Sequence, residues 1–170
     1  DKTFLTATFE DIDDSQNELE DGVLDGVVVN EEGSLELEQD ATSGSRTVQI
    51  DLSSHAIISP YIYEDSRILW EVEVDREIHN FVVETRYSLD GGSSWTDWKE
   101  TTNGQSIPDL SSGDDLSNAV LECRETLSTS NSDISPKLYK RAIYFAERMD
   151  FDLIFPTAKV TNCFVYDTLV

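Results

Sequence analysis

Apolar side chains recur at every second position along most of this chain, the period at which successive residues of a strand point to opposite faces. The clearest run is RILWEVEV (67–74), where Ile68, Trp70, Val72 and Val74 share one face while Glu71 and Glu73 share the other. FVVETRYS (81–88) alternates through Phe81, Val83, Thr85 and Tyr87, and SRTVQIDL (45–52) through Val48, Ile50 and Leu52. DGVVVN (25–30) and SLELEQ (34–39), with Leu35 and Leu37 on one face, read as a hairpin about a turn at 31–34. TFLTATF (3–9), VLECRETLST (120–129), KLYKRAIYF (137–145) and AKVTNCFVYDTLV (158–170) add further strands, with a short one at 98–100. IISPYIY (57–63) is broken by Pro60 and reads as an edge or bulged strand. The segments between them read as an acidic solvated loop (10–22), a polar hairpin loop (75–80) and a long surface loop (103–119). The last holds a helical turn at 115–119 capped by Asp114. No stretch sustains the 3.6-residue period of a helix. About eight to ten short strands without an internal repeat predict an all-β antiparallel sandwich or barrel, not a propeller or solenoid.

At 170 residues the chain suits one domain, 1–170, large enough to bury about 70% of its unfolded surface. Only 38% of its residues are hydrophobic, which a sandwich tolerates because each strand needs one apolar face. Charge changes the picture more. Thirty-five acidic against 12 basic residues give a net charge of −23 and a pI near 4.1. Such a surface repels nucleic-acid phosphates and anionic membranes, and favours solubility, cations or neutral ligands. No signal peptide, long apolar run or lipidation motif is present, so membrane insertion is not expected. A start at Asp1 without methionine reads as a domain excised from, or matured out of, something longer. Cys123 and Cys163 each sit in an apolar run, the setting of buried thiols; a disulfide between them would require adjacent strands.

Catalytic patterns are missing. His55 and His79 have no partner at ligand spacing, and no G-x-S-x-G, H-E-x-x-H, P-loop or G-x-G-x-x-G occurs. The 35 acids offer many carboxylate pairs and single out none, so the chain reads as non-catalytic. The sharpest short motif is Ser88-Leu89-Asp90-Gly91-Gly92-Ser93-Ser94-Trp95, which resembles the Asp-box, S-x-D-x-G-x-T-W, with Ser94 for threonine. Its chemistry is that of a turn: the Asp90 carboxylate accepts backbone N–H bonds, glycines such as Gly92 supply positive φ, Ser88 opens the motif and Trp95 packs beneath. The acids Glu10, Asp11, Asp13, Asp14, Glu18, Glu20 and Asp21 offer the oxygen density Ca²⁺ takes, but Gln16 and Gly22 fall where an EF-hand needs Gly and Glu. For a ligand, aromatic residues carry the better signal, since sugar rings stack on exposed Trp and Tyr faces. Trp70 reads as core and Trp95 as the turn's packing residue, which leaves Trp98, with Tyr61 and Tyr63, as candidate carbohydrate-binding rings.

The run 83–138 carries S-x-D-G-G-x-x-W-x-x-W, N-G-x-x-I-P, D-L-S-x-A, a strand ending L-S-T and a closing S-P-x-L. With GSRTVQIDLSS (44–54) and ILWEVEV (68–74) upstream, residues 23–145 resemble a module of bacteriophage tail and baseplate proteins that also occurs in some bacterial surface proteins. The resemblance implies an antiparallel jelly-roll β-sandwich, similar to carbohydrate-binding modules and galactose-binding-like domains. TFED and FVYDTL resemble the neighbouring first and last strands of such jelly rolls, where acids often hold a structural Ca²⁺; Glu10, Asp11 and Asp167 are the candidates on that likeness. The function it implies is a non-catalytic structural and binding module of a phage or prophage tail, recognising host cell-surface carbohydrate. Its expected partners are other tail or baseplate subunits, further copies of itself, or a glycan, and its expected location is the virion tail or the extracellular space. The alternative is an extracellular bacterial carbohydrate-binding module of a glycan-active enzyme or surface protein. The segment 143–156 and the extreme acidity lie outside the pattern.

Overall fold

The computed structural model describes residues 4–55, 66–111 and 113–150. Over these residues the strands are β1 (Phe4–Asp13), β2 (Val23–Asp25), β3 (Val27–Val29), β4 (Leu35–Leu37), β5 (Ser43–Asp51), β6 (Arg67–Glu73), β7 (His79–Ser88), β8 (Lys99–Glu100), β9 (Gln105–Ser106), β10 (Val120–Thr129) and β11 (Lys137–Asp150). A single-turn helix, α1 (Gln16–Leu19), follows β1. The strands form two antiparallel sheets. Sheet A has the order β3-β4-β11-β6-β9, with β1 also on β11, and sheet B the order β2-β5-β10-β7-β8.

Without β2, β3 and β4, eight strands remain, and they pair in a nested way. The first pairs with the last (β1 with β11), the second with the seventh (β5 with β10), the third with the sixth (β6 with β9) and the fourth with the fifth (β7 with β8). That is the jelly roll, a long antiparallel ribbon rolled into two sheets. The strand β11 organises sheet A. One edge takes β6 from Lys137 to Tyr144, and the other takes β4 at Leu138 and then β1 from Arg141 to Asp150.

Alternation puts the expected side chains inside: Leu35 and Leu37, Val48 and Ile50, Ile68, Val83, Leu121, Cys123 and Leu127 are all buried. In β11 the register with β6 slips between Leu138 and Lys140. One extra residue reverses the parity of a strand, so Leu138 and then Arg141, Ile143 and Phe145 all face the core. Between the sheets the apolar side chains divide into two clusters. One gathers Val48, Ile50, Ile68, Val83, Leu121, Ile143 and their neighbours; the other gathers Leu19, Val27, Leu35, Leu127 and Leu138.

The boundary between the clusters is ionic. Arg46 of β5, Glu125 of β10, Arg141 of β11 and Asp13 of β1 meet there, all buried. The Asp13 carboxylate accepts from Arg141 Nε at 3.1 Å and from the Nη2 groups of both arginines. Arg141 Nε lies 3.2 Å from Glu125 Oε1, and Arg141 Nη1 donates to Asp11 at 2.9 Å. Arg46 also donates to the carbonyls of Glu18 (3.2 Å) and Asp21 (3.0 Å), which fixes the end of α1 against sheet B.

Several segments depart from the reading of the sequence. The acidic stretch 10–22 is not a free loop: β1 runs on to Asp13 because Arg46 and Arg141 need its carboxylates, and α1 follows, with the Glu18 carboxylate accepting from Ser15 Oγ at 2.6 Å and its backbone N–H at 3.1 Å. The segment 75–80 is no hairpin. It carries the chain from sheet A to sheet B, and β7 pairs with β10, where Arg86 faces Glu122 and Glu84 faces Arg124. The segment 103–119 supplies β9 and four buried core residues, Ile107, Leu110, Leu116 and Ala119. Residues 115–119 make a turn, not a helix; Asp115 caps it by accepting from Ser117 N–H at 2.9 Å, while Asp114 accepts from Ser111. Gly26, at φ 66°, breaks the expected 25–30 strand into β2 and β3, which lie in different sheets. The expected strands 57–63 and 158–170 lie outside the described residues.

Removing one member of a buried ion cluster leaves the others charged and uncompensated, at about 3–5 kcal/mol. Asp13→Ala is therefore expected to lower unfolding stability in urea by about that amount. Glu10→Ala, an exposed position on the same strand, is expected to stay within about 0.5 kcal/mol.

Candidate functional site

The 88–95 turn is built as its composition requires. Ser88 Oγ donates to Asp90 Oδ1 (2.7 Å) and accepts from Gly92 N–H (2.8 Å). Asp90 in turn accepts from Ser94 N–H (2.8 Å) and Ser94 Oγ (2.7 Å). Gly91 and Gly92 sit at φ 70° and 86°, where a side chain would be strained. Trp95 lies over Gly92 and donates its indole N–H to the Gly92 carbonyl at 3.1 Å. The hydroxyls of Ser94 and then Ser88, with the Ser94 backbone N–H, hold the Asp90 carboxyl down to about 2.

From this turn the chain returns along β7, with Thr96 N–H donating to the Tyr87 carbonyl at 3.0 Å, and lays Trp95 and Trp98 on the outer face of sheet B. There they meet two arginines. The Arg86 guanidinium carbon stands 4.8 Å from the Trp95 ring centroid and 4.6 Å from that of Trp98; Arg124 stands 4.3 Å from Trp98. The result is a ladder, Trp95–Arg86–Trp98–Arg124, of alternating indoles and guanidiniums. Each guanidinium is fixed by the carboxylate directly opposite it on the next strand. Arg86 Nε donates to Glu122 at 2.6 Å, and Arg124 donates to Glu84 at 2.7 and 3.0 Å. All four charged side chains are partly accessible. Chemically the surface offers half-exposed indoles stacked with guanidiniums, beside carboxylate acceptors.

The residues singled out in the sequence separate. Ser88, Asp90, Gly92 and Trp95 form one unit as expected. Trp98 is on the surface but half-buried against its two arginines, and so is less open than an isolated platform. Tyr61, Tyr63 and Asp167 lie outside the described residues. Glu10 and Asp11 are consecutive strand residues, so their side chains diverge, and Asp11 is engaged by Arg141. Among the described residues no group of three or more His, Cys, Asp or Glu side chains could hold a metal ion. Arg86 and Arg124 were missed. The available signal was the repeated E-x-R of β7 (84–86) and β10 (122–124), which antiparallel pairing turns into two opposed ion pairs.

His79 is structural. Nδ1 accepts from Asp75 N–H at 3.0 Å, and Nε2 reaches the Ile134 carbonyl at 3.2 Å. Cys123 is a buried free thiol, and burial, then the Glu125 charge, push it well above its ordinary value. Cys163 lies outside the described residues.

No family model and no curated protein matches this chain. Among solved structures it is similar to the carbohydrate-binding module TmCBM61, determined in complex with β-1,4-galactotriose. The identity is 6% and the TM-score 0.34, over 86% of this chain and 88% of that one. At that similarity no residue of the galactotriose site can be carried across.

Asp90 has a folded-state carboxyl below the unfolded value of 3.8, so its contribution is complete above about pH 4 and is lost as pH falls toward 2. Between those limits the wild type is expected to lose more thermal stability than Asp90→Asn, whose side chain does not titrate. Parallel melting curves across that window would disprove the assignment.

Proposed function

We propose that this chain is a non-catalytic binding module that holds a glycan on the outer face of sheet B, around Trp98. The observation that carries the reading is the Trp95–Arg86–Trp98–Arg124 ladder, whose two arginines stand on the paired strands β7 and β10. The half-exposed Trp98 indole, held between two guanidiniums, offers an apolar surface to the C–H groups of a pyranose. Guanidinium and carboxylate groups suit its hydroxyls, and cross-strand pairing locks their rotamers before a ligand arrives, which lowers the entropy cost of binding. Placement of Arg86 on β7 and Arg124 on β10, instead of on loops, keeps the guanidiniums rigid. Among the described residues, His79 has both ring nitrogens engaged and the Cys123 thiol is buried and pushed well above its ordinary value by that burial.

Titration with gluco-, galacto- and manno-oligosaccharides tests this. Trp98→Ala is expected to weaken binding at least about tenfold, the loss of about 1.4 kcal/mol of stacking and cation–π contact. Undiminished binding by a variant with an unchanged melting curve would overturn the site.

The setting, a phage tail or baseplate, rests on the residue resemblance over 23–145 and is separate from the glycan reading. It predicts self-association or binding to the tail proteins encoded beside it. Sedimentation as a lone monomer, with no binding to those proteins, would move the module to an extracellular bacterial protein and leave the glycan site standing.

A further inference from the structure

Beyond the face around Trp98, a second concavity opens where β6 and β7 leave the core. There β9 covers β6 only at Arg67 and Ile68, and β8 covers β7 only at Glu84 and Thr85. The Asn103 side chain closes the β6 edge at Trp70, accepting from its N–H at 3.1 Å and donating to its carbonyl at 2.8 Å. Past that point neither edge is covered by β8 or β9, and a cavity of about 340 Å³ lies between the sheets, lined by Trp70, Val72, Val74, Arg76, His79, Asn80 and Phe81. That volume falls within the range of small-ligand pockets, about 300–1,000 Å³.

The lining has two parts. Trp70 from sheet A and Phe81 from sheet B meet edge-to-face, with centroids 6.0 Å apart and planes at 63°, and both pack against both core clusters. They are rigid, half-buried rings. At the mouth, Asn80 and Arg76 are exposed. Among the described residues the ion pairs engage Arg46, Arg86, Arg124, Arg141 and three lysines, whereas Arg76 takes part in none despite the net charge of −23. His79 is spent on Asp75 and Ile134, which fixes the wall and leaves Arg76 and Asn80 as the donors facing a ligand.

We propose that this cleft binds a single uronic-acid residue, a pyranose ring carrying one carboxylate. The ring lies against Trp70 and Phe81, the carboxylate takes the fork of the Arg76 guanidinium, and the Asn80 amide serves the hydroxyls. The protein's overall negative field does not prevent this, because at physiological salt it is screened beyond about 8 Å while the guanidinium contact is direct.

The test is a titration of the ¹⁵N-labelled chain with D-glucuronate and D-galacturonate, with D-glucose and D-galactose as neutral counterparts, read at the three indole N–H resonances. A uronate is expected to shift the Trp70 resonance selectively and to bind at least about tenfold tighter than its neutral counterpart, as loss of one charge-assisted contact implies. Arg76→Ala, in an exposed turn, is expected to remove that preference with an unchanged melting curve, and Trp98→Ala to leave it intact. Equal binding of acid and neutral sugars, an Arg76→Ala variant that keeps the preference, shifts confined to Trp95 and Trp98, or no shift at tens of millimolar would each overturn the proposal. Because Trp98→Ala separates the two sites, failure here leaves the outer-face reading untouched, and the converse holds.

Discussion

The two sheets are held in register by a shared carboxylate. Asp13 sits between Arg46 of sheet B and Arg141 of sheet A, with Glu125 behind them, and this charged layer divides the apolar interior in two. Apolar packing between sheets is tolerant of sliding, because one Leu or Val contact replaces another at small cost. An ionic layer is not: moving Arg141 by one residue would leave two buried charges uncompensated. Burial pushes the Glu125 carboxyl up, against the pull of Arg46 and Arg141. Desolvation costs several kcal/mol per ion, so the layer is better understood as a device for register than as a source of stability.

Much of the architecture follows from that layer. The β-bulge between Leu138 and Lys140 is what lets one strand deliver Leu138 to one cluster and Arg141 to the boundary. The extension of β1 to Asp13 brings the carboxylate in, and α1 closes over Arg46, which holds the Glu18 carbonyl in the helix and the Asp21 carbonyl just beyond it. Gly44 belongs to the same assembly. A Cβ there would press on the Gly26 carbonyl and lie 2.8 Å from that of Asp25, so glycine is required where β2 turns away from β5 into β3.

The outer face of sheet B uses the same chemistry under different dielectric conditions. Its ion pairs are partly solvated, so each contributes little to stability, but two of them in direct cross-strand register hold the guanidiniums over Trp95 and Trp98. The large negative charge is thus not spread evenly in its effect. Inside, carboxylates are matched to arginines; on this face they are matched across strands; the excess lies on the remaining surface, where it favours solubility.

Alternation alone determined the all-β class and most of the core, because burial on one face of a strand imposes a period of two that is visible in residues such as Ile68, Trp70 and Val72. The 88–95 turn was equally legible, since its side-chain hydrogen bonds join residues at most four positions apart. The sequence could not show which strands neighbour one another. That depends on contacts distant in the chain, such as Phe4 with Asp150 and Arg86 with Glu122, and the 75–80 crossover and the Trp–Arg ladder follow only from it. Nor could period or polarity reveal that Arg46, Arg141, Asp13 and Glu125 are buried. A charged residue in a strand is ordinarily read as facing water, and only tertiary structure supplies the opposite charge, from another strand, that allows it to face inward.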